Sequence, residues 1–108
     1  AIGDCQVPNF ATRILANAFG LRQMTPAVEA VFGLTPTTSP SDAPGVLAQW
    51  ALPAQLMRYT PPDTNVIPTT DNGTHSDAVS TTSALAQLRA LMQDGTITQP
   101  CMGTCDPD

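Results

Sequence analysis

The residue best suited to moving protons in this sequence is His75, the only histidine among 108 residues. It follows Asn72-Gly73, a strong turn dipeptide because both residue types tolerate positive φ, so the backbone is predicted to turn sharply and carry the imidazole at a loop tip. A histidine on a turn between a strand and a helix can act as a proton shuttle, since imidazole side chains titrate near neutral pH. The competing interpretation is a solvent-exposed loop histidine without a chemical role.

The three cysteines are the next residues whose side chains could take part in covalent or metal chemistry. Cys101 and Cys105 flank a short Gly-containing loop and are close enough to form a disulfide, which leaves Cys5 alone. A metal site is the alternative, but one histidine and a C-x3-C spacing match no common zinc module. A disulfide implies an oxidising compartment, so the chain is expected to be secreted, periplasmic or at the cell surface. Asn72-Gly73-Thr74 would permit glycosylation in a eukaryotic secretory host.

Composition excludes several classes of function. The net charge is −5, with four arginines and no lysine, so electrostatic nucleic-acid binding is not expected. There is no apolar run near 18 residues, so no transmembrane segment is predicted. A hydrophobic content of 42% suffices for one small core. Because the sequence starts with Ala1-Ile2-Gly3, which reads as the tail of a buried strand, a processed product or a fragment is expected.

Two helices are predicted in the first third of the chain. Asn9 is a good N-cap, apolar residues recur at helical spacing over residues 10 to 19, and Gly20 suits the C′ position. Thr25-Pro26 is predicted to open a second, shorter helix that runs to Gly33, with proline in its first turn. The chain should therefore form one helix soon after its first loop and a second helix directly after it in sequence.

The middle of the chain is predicted to be a loop followed by apolar, strand-like segments. Residues 34–45 are rich in Pro, Thr and Ser and form a loop or linker inside one domain that spans residues 1–108. Val46 to Trp50 reads as a buried strand, while the wider region up to Tyr59 is too apolar for periodicity to settle. Val66-Ile67-Pro68 gives a short apolar lead into the histidine loop.

The strongest helical pattern follows His75. Ser76 or Asp77 is predicted to cap this helix, and Gly95 to end it. One face carries the apolar residues Val79, Leu85, Leu88, Leu91 and Met92.

This order of elements resembles the C-terminal part of an α/β-hydrolase, so the fold class is predicted to be α/β. In that family an acid follows one of the last strands and a histidine follows the final strand. Gly3-Asp4-Cys5-Gln6-Val7-Pro8 resembles the acid loop, and Asp71-Asn72-Gly73-Thr74-His75 resembles the Gly-x-His loop before the last helix. Together with the tail from Gln87 to the cysteines, they look like large secreted bacterial lipases and related esterases. The resemblance covers most of this chain but only about the last third of such enzymes.

The resemblance implies that His75 accepts the proton of a serine hydroxyl and returns it to the leaving alcohol, while a carboxylate holds the imidazole. Asp4 is the predicted carboxylate; the alternative is a loop aspartate that caps or turns the backbone. Asp71 and Asp77 are the other candidates for the triad acid. Asp71 is better explained by turn chemistry and Asp77 by favourable charge in the first turn of a helix. No cofactor or catalytic metal is implied.

The sequence departs from the family pattern in one essential respect, because it contains no Gly-x-Ser-x-Gly. The nucleophile is therefore expected on an N-terminal segment or a second chain, and the isolated chain is expected to be inactive. Cys5 is a weak alternative nucleophile, since it lies in the acid loop. The substrates implied are carboxylic esters, including acyl lipids. A small secreted structural or binding module, with a C-terminal disulfide loop and no catalysis, is the competing hypothesis from a different class.

Overall fold

The computed structural model describes residues 3–4, 6–38, 44–51, 71, 73–103 and 105. The described residues form three helices and three short strands: α1 (Asn9–Ala18), β1 (Arg22–Met24), β2 (Pro36–Thr37), β3 (Val46–Leu47), α2 (Thr74–Ala78) and α3 (Thr82–Asp94). This mixture confirms the predicted α/β class. The finer assignment to the C-terminal part of a hydrolase domain stays a prediction.

The strands form one parallel sheet in the order β2-β1-β3, so β1 is central. Gln23 faces Pro36 on one side and Leu47 on the other, which fixes the register of all three strands. Gln23 and Met24 are buried, as expected for the central strand of a parallel sheet.

Helix α1 begins and ends one residue earlier than the predicted span of residues 10 to 19, but Gly20 occupies the predicted C′ position. Gly20 adopts φ 64°, and the N–H groups of Gly20 and Leu21 donate to the carbonyls of Asn17 and Ala16, the bonding pattern of a Schellman motif. At the other end Pro8 is the N-cap and gives no side-chain cap. The prediction that Asn9 caps the helix was therefore wrong. Its side-chain oxygen instead accepts the N–H of Gly3 at 2.8 Å.

The predicted second helix, from Thr25 to Gly33, was wrong: this stretch contains bends and turns and no helix. Two buried glutamines explain why no helix forms here, because their side chains form hydrogen bonds with backbone groups of this stretch. Gln23 accepts the N–H of Val31 and donates to the carbonyl of Glu29, while Gln49 accepts the N–H of Glu29. Because these buried groups already have partners, the segment does not need helical bonds to satisfy them.

The Pro/Thr/Ser-rich segment 34–45 is not wholly irregular, because Pro36–Thr37 form the edge strand β2. Proline is tolerated there since an edge strand leaves one row of backbone groups without a ladder partner. Residues 39–43 lie outside the described residues. Of the buried strand predicted from Val46 to Trp50, only Val46–Leu47 form β3, and both are half-buried; Trp50 forms an isolated parallel bridge to Cys105.

The helix predicted after His75 is two helices, α2 and α3. Ser76 and Asp77 lie inside α2, so neither caps it; Gly73 is the N-cap, with φ 78°. The break follows from hydroxyl side chains that compete for backbone carbonyls. Ser80 donates to the carbonyls of Ser76 and Asp77, and Thr81 caps α3 by accepting the N–H of Ala84. Helix α3 then ends at Gly95, as predicted.

The cysteine pair at the C-terminal end forms the predicted disulfide. The Cys101 and Cys105 Cα atoms lie 5.2 Å apart, and Cys105 is buried. The carbonyl of Cys105 accepts the N–H of Ala51 at 2.9 Å, which ties this tail to the chain that leaves β3. The two thiols are thus used in a disulfide and not as metal ligands.

Several predictions lie outside the described residues: the strand at Ala1-Ile2, the role of Cys5, the sequon asparagine Asn72 and the apolar lead at Val66-Ile67. Among the helices that the structure does describe, none has the length and apolar character needed to cross a membrane.

Candidate active site

In the acid loop, the described residues 3–4 and 6–8 are organised around the carboxylate of Asp4. One oxygen of Asp4, Oδ1, accepts the backbone N–H groups of Gln6 and Val7, each at 2.9 Å. Gly3 precedes it with φ 84°, and the Asn9 side chain closes the loop by accepting the Gly3 N–H. The turn-forming role considered for Asp4 is therefore real, and it occupies only one of the two carboxylate oxygens.

The histidine loop is built by a glycine turn that leads into α2. Oδ1 of Asp71 accepts the N–H of Gly73 at 2.9 Å, and Gly73 takes the left-handed conformation that glycine adopts without strain. Thr74, the first residue of α2, is buried. His75 follows in the first turn of that helix. The predicted turn is present at Gly73, while Asn72 lies outside the described residues. The prediction that His75 lies at a loop tip was wrong, because His75 is the second residue of α2.

The two loops meet through the predicted pair. Oδ2 of Asp4 lies 2.8 Å from Nδ1 of His75, across 71 residues of sequence. The side chain of Asp4 is only 8% exposed, whereas that of His75 is 40% exposed. A buried carboxylate thus holds an imidazole that is still open to its surroundings.

The environment of Asp4 favours its ionised form. Burial by itself raises the pKa of Asp4, but hydrogen bonds from the Val7 N–H, the His75 ring and the Gln6 N–H together bring that pKa below its ordinary value of 3.8. An ionised carboxylate can only accept hydrogen bonds. Nδ1 of His75 therefore donates a hydrogen bond to Asp4, and Nε2 is the ring nitrogen left to accept a proton.

A cavity of about 210 Å³, lined by both polar and apolar residues, lies beside this pair. Its walls come from the acid loop, the inward face of α1, the segment that follows β3, and α2. The lining residues are Asp4, Val7, Asn9, Thr12, Arg13, Leu47, Ala48, Gln49 and His75. The Arg13 guanidinium is paired with Glu29. The pair of Asp4 and His75 therefore faces a cavity large enough for a small chemical group.

A second, apolar groove of about 570 Å³ lies on another side of β3. It is lined largely by α3 and by the neighbouring β3 segment. The lining residues are Leu21, Pro44, Gly45, Val46, Ala48, Trp50, Ala78, Val79, Ala84, Leu85, Gln87, Leu88, Leu91 and Ile97. Trp50 also donates its indole N–H to Ser83 at 3.1 Å, which ties the segment that follows β3 to α3. The apolar face predicted for this helix thus borders an open groove.

The other candidates for the triad acid have different partners. Asp71 bonds the Gly73 N–H through Oδ1 and the side-chain amide of Gln6 through Oδ2, the latter at 2.9 Å. This agrees with the turn chemistry expected of Asp71. Asp77 lies in the first turn of α2, where an acidic side chain is favourable. Of the three acids weighed, Asp4 is the one whose carboxylate contacts the ring of His75.

Sequence reasoning missed two polar residues of this region. Gln6 was treated as part of a motif, yet its side chain links the acid loop to the histidine loop. Gln49 was read as part of an apolar strand, yet it lines the cavity and bonds both Gln23 and Glu29. A glutamine within an otherwise apolar segment was the available signal, because a buried amide requires partners.

Comparison of the chain with protein-family models, with curated proteins and with solved structures gave no match in any of the three searches.

Proposed function

We propose that this chain is the acid-and-histidine portion of a serine carboxylic-ester hydrolase, similar to lipases and esterases of the α/β-hydrolase fold. Asp4 is the acid, His75 is the base, and the nucleophilic serine lies on another segment or chain. The observation that carries the proposal is the 2.8 Å contact between Asp4 Oδ2 and His75 Nδ1. Acid, histidine and their order in the chain are those of the hydrolase pattern.

The chemistry follows from the tautomer. Nε2 of His75 takes the proton of the serine hydroxyl as the serine oxygen bonds to the ester carbonyl carbon, and the imidazolium then gives that proton to the leaving alkoxide. Water repeats the cycle on the acyl-serine and releases the acid. Asp4 keeps the proton on Nδ1 and stabilises the cation through the same hydrogen bond. Its buried position strengthens this interaction, since the local dielectric is lower than that of water.

The need for a partner is supported by exposed apolar side chains among the described residues. The buried apolar set is small: Ala16, Met24, Val31, Ala51 and Cys105. The exposed set is larger and includes Phe10, Ile14, Leu15, Phe19, Leu88, Leu91 and Met92. A self-contained binding module, the competing hypothesis, would be expected to cover more of these. The disulfide supports secretion or a periplasmic location.

The test is fluorophosphonate labelling of the native preparation, followed by denaturing separation and intact mass. A fluorophosphonate forms a serine oxygen–phosphorus bond and releases fluoride only where a serine is activated. We expect a labelled second polypeptide, with labelling abolished by His75→Ala and retained in the matched control Asp77→Asn. Absence of any labelled polypeptide, with a folded 11.3 kDa monomer accounting for all the protein, would refute the proposal and favour the binding module.

A further inference from the structure

The contact between Asp4 and His75 is one of four hydrogen bonds that, together with the short covalent segments between them, form a closed ring. Asp4 Oδ2 meets His75 Nδ1, and Asp4 Oδ1 accepts the backbone N–H of Gln6. The side chain of Gln6 donates to Asp71, and Asp71 accepts the N–H of Gly73, the N-cap of the helix that carries His75. Both carboxylate oxygens of Asp4 therefore belong to the ring: Oδ1 bonds Gln6 and Oδ2 bonds His75.

Gln6 is the residue that joins the two loops in this ring. Its backbone N–H lies 2.9 Å from Asp4 Oδ1, and its side-chain Nε2 lies 2.9 Å from Asp71 Oδ2. One residue thus contacts the acid directly and reaches the histidine loop 65 residues away. It provides a second tie between the loops, alongside the contact between Asp4 and His75.

Asp71 connects that tie to the imidazole. Its second oxygen binds the N–H of Gly73 at 2.9 Å, and Gly73 is in the left-handed conformation that starts α2. His75 follows two residues later, so the orientation of this turn sets where the ring emerges. A displacement of Asp71 would move the start of α2 and with it Nδ1 of His75.

We infer that Gln6 and Asp71 are positioning residues for His75, which orient the imidazole on Asp4 by closing this ring. Neither residue touches the reacting atoms, so their effect passes through His75. The catalytic meaning of this role rests on the proposed function, whereas the geometric role does not. Both side chains are exposed, so the tie competes with water and should affect orientation more than folding stability.

The experiment uses four variants of the chain that differ at the tie. Gln6→Met removes the donor without adding charge, and Gln6→Glu replaces it with a group that accepts only. Asp71→Asn is the conservative variant of the tie, since a flipped Gln6 amide can accept from the new amide, and Asp77→Asn, on α2 but outside the ring, is the matched control. The double variant Q6E/D71N restores the tie with its direction reversed. The carboxylate introduced at position 6 then accepts from the amide introduced at position 71, whose oxygen still accepts the Gly73 N–H.

The first readout is the ¹⁵N chemical shift of both His75 ring nitrogens at neutral pH, which reports how much of the neutral ring carries its proton on Nδ1. We expect this fraction to fall in Gln6→Met and Gln6→Glu, and to be close to that of the unsubstituted chain in Asp71→Asn and in the double variant. Unfolding midpoints measured in parallel identify a merely structural effect, which would lower the midpoint and leave the ¹⁵N shifts unchanged.

The second readout is the rate of fluorophosphonate labelling in the native assembly. Gln6→Met and Gln6→Glu should label about 10- to 100-fold more slowly, because small displacements of a catalytic group cost factors of this size, and Q6E/D71N should recover the rate. Unchanged ¹⁵N shifts in Gln6→Met, or a double variant as impaired as Gln6→Glu, would overturn the inference. If the shifts change as expected but no polypeptide labels, the ring stands and the proposed hydrolase function fails.

Discussion

The cavity beside Asp4 and His75 and the apolar groove share the lining residue Ala48, yet the two sites differ in how far their side chains are bonded or covered. In the cavity, Asp4 has partners on both oxygens and the neighbouring Gln49 is bonded. Along the groove, Leu88 and Leu91 are 53% and 47% exposed. The carboxylate of Asp4 has its hydrogen-bond partners within the described residues, whereas the apolar surface of the groove is not covered by them.

The two sites show that hydrogen bonds and apolar burial are encoded differently in a sequence. Hydrogen bonds are directional and short in range, so a few residues such as Gly3, Asp4 and Gln6 suffice to build a specific site. Burial of apolar surface is not directional and requires area from many residues. A portion of an enzyme can therefore carry a well-formed acid–histidine pair and still expose apolar surface, as proposed here.

The substitution with the largest expected effect removes the negative charge of the acid–histidine pair. Asp4→Asn keeps the shape of the side chain but removes the charge that holds the proton on Nδ1 of His75. We expect labelling of the partner serine to slow by roughly 10⁴-fold, the loss typical when the acid of a Ser-His-Asp triad becomes an amide. Labelling rates of Asp4→Asn and of the control Asp77→Asn provide the measurement. Equal rates in the two variants would show that Asp4 is a turn residue only.

A smaller effect separates covered from uncovered apolar residues. Met24 in β1 is 1% exposed and Leu91 is 47% exposed. Met24→Ala is expected to lower the free energy of unfolding by about 2–5 kcal/mol, since it leaves a cavity. Leu91→Ala should cost about 1 kcal/mol or less, because roughly half of that side chain already contacts solvent. Urea denaturation of the two variants checks this, and equal losses would contradict an open groove.

A still smaller effect is expected from loss of the hydrogen bond between Trp50 and Ser83 beside the groove. Trp50→Phe removes the indole donor and Ser83→Ala removes its acceptor, so each should lower the free energy of unfolding by about 1 kcal/mol. Because both substitutions delete the same bond, the double variant should lose about as much as either single variant. A thermodynamic cycle by chemical denaturation tests this, and full additivity would show that the bond contributes nothing.

The smallest effect is a dependence of stability on acid. The pKa of Asp4 is lowered on folding, so the folded chain binds fewer protons than the unfolded chain near the ordinary value of 3.8. The contribution of Asp4 is thus present above that pH and is lost as the pH falls through the folded-state pKa. Asp4→Asn should show a shallower loss of stability with acid than the unsubstituted chain. Identical slopes, measured by denaturation at several pH values, would contradict this.

Local sequence signals predicted the parts of the fold that depend on local chemistry. Gly20 and Gly95 were identified as helix ends because glycine alone adopts the left-handed conformation cheaply, and both do so. Cys101 and Cys105 were paired from their spacing. The meeting of Asp4 with His75 was predicted from resemblance, because no local rule connects residues this far apart in the chain.

The errors arose where tertiary contacts override local preference. Thr25-Pro26 carries a good helix-start signal, but Gln23 and Gln49 bind the backbone of the following segment. Helix α3 was extended back through Ser80 and Thr81, whose hydroxyl groups instead end one helix and cap the next. In each case a polar side chain bonded the backbone, and apolar periodicity carries no information about such bonds.

The central claim is that His75, held by Asp4, serves a serine on another segment or chain. The most direct measurement is treatment of the native assembly with a chloromethyl ketone analogue of an ester. The serine oxygen adds to its carbonyl, and His75 Nε2 displaces chloride to form a nitrogen–carbon bond. Because the serine hemiketal reverts to the ketone on denaturation, mass spectrometry of the digest should find His75 alkylated, and prior blocking of the serine with a fluorophosphonate should prevent this alkylation. An active assembly that labels its serine but leaves His75 unmodified would contradict the claim.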